Sequence, residues 1–191
     1  MRRGFKSEAE RLADDFRERL GCDTDEAVPI DRLAEDLGVR LVPADALVPR
    51  SRLEELRDIQ EDAFSAATFR LTDGERVVVH NPLHQLGRTR SNQAHELAHI
   101  ALEHTLRTLE KVGTMTFLTC DVEQEEEADW LGGCFLLPRS VLLKAARSGK
   151  SAPQLAREYE TSERMAHFRL NASGVLVQVG REKALRNRRK K

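Results

Sequence analysis

The stretch His95-Glu96-Leu97-Ala98-His99 constrains this chain more than any other. Histidines four apart stand one above the other on an α-helix, so both imidazoles can reach one metal ion. Glu96, about 100° round the axis, can reach a water held there. A fold that uses the pattern needs a helix at this point, lying at the rim of a core and not in its middle. Ala94, Leu97, Ala98, Ala101 and Leu102 recur at the spacing of a helix that buries one face, and the histidine face lies beside that stripe. Strong helix formers fill the segment, and neither Gly nor Pro occurs between Arg88 and Leu109.

Such a pattern arises by chance in roughly 2 of 100 shuffled chains, so it needs a third ligand to carry weight. A catalytic zinc takes three protein ligands and keeps one position open, whereas a structural zinc takes four. The third is expected in the acidic run Glu123-Gln124-Glu125-Glu126-Glu127-Ala128-Asp129. There Glu125 and Asp129 share one helical face, which suits Glu125 as a ligand and Asp129 as the group that orients a ligand imidazole. Glu123, Glu126 and Glu127 read as solvated surface charge. Cys120 is a weaker alternative ligand. Ala128, Leu131 and Phe135, with Trp130 and Cys134, then mark a buried helix closed by Pro138. Gly132-Gly133 inside it costs about 1 kcal/mol per glycine relative to Ala. Close approach to the histidine helix would offset that cost; alternatively the glycines end the helix early.

Taken together, Arg88-x-Arg90-x-x-x-Ala94-His95-Glu96-Leu97-Ala98-His99 and Glu125-x-x-Ala128-Asp129-x-Leu131-Gly132-x-x-Phe135-Leu136-Leu137-Pro138 resemble the ImmA/IrrE family of metallo-endopeptidases, which are gluzincin-like. The match is strong over the middle quarter of the chain and looser elsewhere. Ser91 stands where the family has Phe, and Leu131-Gly132 where it has Phe-Ala, departures that touch packing and substrate fit more than metal binding. The resemblance implies cleavage of a helix-turn-helix repressor of the XRE type, releasing stress-response or mobile-element genes. In the expected chemistry His95, His99 and Glu125 hold zinc, or another divalent ion such as Mn2+. The ion lowers the pKa of its water from about 16 toward about 7, and Glu96 takes the water's proton and passes it to the leaving amine.

The expected fold is α+β: a compact zincin-like domain, mostly helical, with a small antiparallel sheet packed on the histidine helix. A length of 191 residues suits one such domain, expected over residues 1–180. Phe5, Ala9, Leu12, Ala13, Phe16 and Leu20 make an amphipathic first helix, Ile30 to Leu37 a second, and Val39 to Val42 an apolar strand. The charged stretch Asp45 to Asp62 reads as a loop or mobile helix, a candidate lid over the cleft. Ala67, Phe69 and Leu71 alternate with polar residues, Asp73-Gly74 signals a hairpin, and Arg76 to His80 returns. The open edge of such a strand can pair with an extended substrate. His80, His84 and His104 read as surface or capping residues.

After Pro138 come a helix over Val141 to Ala146 and two capped helices, Ser151 to Tyr159 and Ser162 to Leu170, resembling a helix-turn-helix. Two uses compete for them: DNA contact through Arg164, His167 and Arg169, or a hairpin that completes the core, which is the favoured one. Tyr159 and His167 are weak oxyanion candidates. Val175 to Val179 reads as a last strand, and Arg181 to Lys191 as a disordered basic tail. A net charge of −1 argues against general affinity for nucleic acid or membrane. No apolar run approaches membrane length, no leader is recognisable, and Cys22, Cys120 and Cys134 form no motif pair, so reduced thiols and a cytoplasmic location are expected. The competing function class is a non-catalytic antirepressor or toxin-antitoxin component that binds a repressor or DNA.

Overall fold

The computed structural model describes residues 1–23, 26–105, 109–112, 115–118 and 121–188. In chain order they form α1 (Phe5–Arg19), α2 (Ile30–Asp36), β1 (Val39–Pro43), α3 (Arg50–Ile59), β2 (Ala66–Arg70), β3 (Arg76–His80) and α4 (Leu86–Ala101). There follow β4 (Leu109–Val112), β5 (Met115–Leu118), α5 (Val122–Leu136), α6 (Arg139–Ser148), α7 (Ala152–Glu158), α8 (Glu163–Ala172) and α9 (Val175–Arg188). The class is α+β, as expected.

Strand β3 is the centre of a three-stranded sheet ordered β1-β3-β2, with β1 parallel and β2 antiparallel to it. The sheet is therefore mixed and not purely antiparallel. Val77, Val78 and Val79 are all buried because helices cover both faces of the sheet. By the two-residue alternation of a strand, Val78 joins the main core with α4, while Val77 and Val79 join a smaller cluster with Val42, Ala44 and Leu53 of α3. Helix α3 thus packs on the face opposite α4, and the lid expected from residues 45–62 is instead a helix behind the sheet. The small cluster does not reach the sheet edge, and Phe69 of β2 stays 49% exposed.

Helix α5 is the other organiser, buried along most of its length and continuous through Gly132-Gly133. A Cβ on Gly132 would lie 3.0 Å from the carbonyl oxygen of Ala94 and 3.1 Å from Cα of His95, so the missing side chain lets α5 press on the backbone of α4. Phe16 of α1 meets Phe135 of α5 edge-to-face at 5.3 Å on the other side. Ser91, where an aromatic was expected, is buried against the turn before α8: its Oγ lies 2.8 Å from the Gly87 carbonyl oxygen and accepts the Ser162 N–H at 3.0 Å.

The C-terminal helices complete the core. Arg169 is fully buried, donating to the Leu137 carbonyl at 3.1 Å and to Glu10 at 2.7 Å, with its guanidinium over the Trp130 ring. It is closed to DNA, whereas Arg164 and His167 are exposed. Residues 175–179, expected as a strand, open helix α9: Val175 and Val179 are buried one turn apart and Val177 is 59% exposed. Alternation and helical spacing coincide in Val-Leu-Val-Gln-Val, and packing against α6 decides for helix. Residues 181–188, expected as a disordered tail, continue that helix; 189–191 lie outside the described residues, as does Cys120. No helix among the described residues is long and apolar enough to cross a membrane.

Candidate metal centre

Helix α4 presents His95 and His99 on one side, and α5, held close by Gly132, presents Glu125 to the same point. The two Nε2 atoms are 3.1 Å apart, His95 Nε2 lies 3.3 Å from Glu125 Oε2, and His99 Nε2 lies 3.5 Å from Glu125 Oε1. Ligands 2.0–2.1 Å from a tetrahedral zinc would be about 3.3 Å from one another. The donors converge on that scale, the carboxylate of Glu125 turning one oxygen to each imidazole, and two imidazoles with one carboxylate are the donor set of an open zinc site, so the residues fit a divalent ion. Among the described residues this is the cluster of three metal-ligating groups that converges in this way.

The surrounding groups fix the donors. Asp129, one turn beyond Glu125, lies 2.9 Å from His95 Nδ1, the atom away from the other donors. Burial opposes charge on His95, but the hydrogen bonds to Asp129 and Glu125 outweigh it and raise the pKa to about 9. Glu96 is 8% exposed and accepts a hydrogen bond of 2.6 Å from Thr68 Oγ1 on β2, so the sheet edge and the expected general base are in direct contact. Glu123 and Glu126 are exposed, as expected of surface charge, and together they hold the terminal amine of Met1.

Three partners went unread in the sequence. Thr68 lies on the polar side of an alternating strand, and only strand order brings it to α4. Glu127, expected on the surface, is 7% exposed and accepts the Arg2 backbone N–H at 3.2 Å. His104, expected as a surface or capping histidine, lies 2.9 Å from His99 through their Nδ1 atoms. Burial lowers its pKa. A signal for it exists, since a histidine five residues beyond His99 falls where a chain leaving a helix folds back on the last turn. His84 stands near Asn81 and Asn92, Tyr159 is buried in the main core, and neither joins the donor cluster.

Two helices that bring a pair of imidazoles and a carboxylate to one point, beside a sheet whose edge strand touches a buried glutamate, define a metallopeptidase-like protein. The family model described as Peptidase_M78, IrrE N-terminal-like domain, matches residues 34–171, and the chain belongs to that family. Comparison with curated proteins and with solved structures gives no significant match. Membership makes the protein a peptidase by family, acting on a protein substrate.

Proposed function

We propose that the protein is a zinc-dependent endopeptidase of the cytoplasm that cuts an XRE-type helix-turn-helix repressor and so induces stress-response or mobile-element genes. The observation that carries the reading is the convergence of His95, His99 and Glu125, whose two Nε2 atoms lie 3.1 Å apart and 3.3 and 3.5 Å from the two carboxylate oxygens, a spacing that suits one small divalent ion. His95, His99 and Glu125 hold the ion, and Asp129 orients His95. When bound, the ion supplies Lewis-acid polarisation of the scissile carbonyl and acidifies a water. Glu96 takes the water's proton on its carboxylate and delivers it to the leaving nitrogen. Thr68 holds Glu96 Oε2, leaving Oε1 for that proton. The outer edge of β2, unpaired among the described residues, pairs with the extended substrate backbone and lays it over α4. The repressor as substrate follows from the family resemblance.

The test combines metal content with cleavage. Elemental mass spectrometry on wild type, Glu125→Ala and Glu126→Ala is expected to find one ion per chain in the first and third and none in the second. Glu96→Gln should keep the ion and lose cleavage of a candidate XRE-type repressor by a factor of at least about 100. Cleavage at the wild-type rate by Glu96→Gln would remove the general-base assignment, and a wild type that neither holds nor takes up metal would remove the hydrolytic reading.

A further inference from the structure

Each ligand imidazole has a second ring nitrogen, and the two are served differently. His95 Nδ1 meets a carboxylate, Asp129. His99 Nδ1 meets Nδ1 of another imidazole, His104, at 2.9 Å, with the rings edge to face and their centres 5.0 Å apart. Two ring nitrogens at this distance share one proton, so one donates and the other accepts. If His99 presents the lone pair of Nε2 to the metal centre, its proton sits on Nδ1, and His104 Nδ1 must be the acceptor. The His104 proton then sits on Nε2, the atom that lies 3.6 Å from Glu127 Oε2. The side chains of His104 and Glu127 are 7% and 9% exposed, so water competes little for either contact.

The backbone is built to hold this pair. Leu102 caps α4, Glu103 takes the left-handed conformation with φ 53°, and His104 N–H returns to the His99 carbonyl at 2.9 Å while Glu103 N–H returns to Ile100. This is a Schellman ending, which brings the residue after the left-handed one back over the last turn. Here that residue and the one it covers are both histidines. The use of a non-glycine residue at the left-handed position leaves the turn strained, and the His104–His99 contact is what the turn delivers.

We propose that His104, backed by Glu127, is a positioning residue for His99: it accepts the Nδ1 proton and so fixes the tautomer and ring orientation in which Nε2 faces the metal centre. The inference rests on the metallopeptidase reading for what Nε2 binds. Partners of this kind typically change metal affinity 10–100-fold. Zn2+ affinity is measured by competition with a chromophoric chelator for wild type, His104→Phe, His104→Asn and Glu127→Gln. Phe keeps the ring but offers no acceptor, whereas the Asn side-chain oxygen can stand near the place of Nδ1. His104→Phe is expected to weaken Zn2+ binding 10–100-fold, His104→Asn to restore the larger part, and Glu127→Gln to have a smaller effect than Phe. Unchanged affinity in His104→Phe, or a His104→Asn as weak as Phe, overturns the proposal. Long-range 1H–15N spectra of the histidine rings give a second readout that needs no metal. They are expected to place the proton of His99 on Nδ1 and that of His104 on Nε2, and a His104 protonated on Nδ1 overturns the proposal. A wild type that takes up no Zn2+ would instead overturn the metal centre, while the ring spectra still decide the His99–His104 bond.

Discussion

His95 is the residue whose chemistry depends most on its neighbours. In the metal-free protein the hydrogen bonds of Asp129 and Glu125 overcome burial and lift its pKa from 6.5 to about 9. A folded-state pKa raised in this way stabilises the protein fully below about pH 6.5, and the contribution is lost as pH rises through about 9. The expected outcome is a metal-free protein that loses on the order of 2–3 kcal/mol between pH 6 and pH 10 from this group. Chemical unfolding of wild type and Asp129→Asn across that range checks it: the variant should show a shallower decline, and parallel curves would deny Asp129 its hold on His95. That His95, His99, Glu125 and Asp129 would meet was legible because four-residue spacing on a helix is a local rule. Thr68, His104 and Glu127 were not, because their roles depend on strand order, on a left-handed turn and on which side of α5 faces inward.

At the scale of elements, the centre exists because two helices approach more closely than side chains normally allow. Gly132 was legible as the contact, since a small residue inside an otherwise apolar helix asks for a packing reason. The wall it would meet is backbone, the Ala94 carbonyl and His95 Cα, which cannot rotate away as a side chain could. Gly132→Val is therefore expected to force α5 off α4, destabilise the fold by about 1–3 kcal/mol and weaken metal binding, because Glu125 moves away from the histidines. Gly180→Ala in α9, where nothing lies within 4 Å of the added carbon, should stabilise by about 0.5–1 kcal/mol. Urea unfolding and metal titration of both variants check this, and a Gly132→Val protein with wild-type metal affinity would show that the close approach does not set the position of Glu125. The sheet was less legible than the helices. Strand positions could be read from alternation, but the burial of Ala67, Phe69 and Leu71 could not, since it depends on how far α3 extends across the sheet.

Over the whole molecule, the question is whether the C-terminal helices serve the core or a nucleic acid. Capping residues and a tight turn marked α7 and α8 in the sequence, yet the same pattern suits a DNA reader and a structural hairpin, and only burial separates them. Arg169 is 0% exposed and reaches across to α1 through Glu10, which also accepts the Arg139 backbone N–H at 3.0 Å from the start of α6. One ion pair, its arginine fully buried and its glutamate 16% exposed, therefore ties together the first helix, the end of α5, the start of α6 and α8. Removing one partner leaves the other charge buried and uncompensated, which typically costs 3–5 kcal/mol, whereas replacing both by apolar groups of similar size is often neutral. Arg169→Ala is thus expected to lower unfolding stability by about 3–5 kcal/mol, and Arg169→Met with Glu10→Leu to recover much of that loss. Circular dichroism during urea unfolding measures both. A DNA-reading arginine behaves in the opposite way: its loss leaves stability within about 0.5 kcal/mol and reduces a salt-dependent affinity. If Arg169→Ala unfolds like wild type but loses steep, salt-sensitive DNA binding, the hairpin belongs to recognition. If it is strongly destabilised and its double partner is rescued, the hairpin is part of the scaffold that holds α5 against α4.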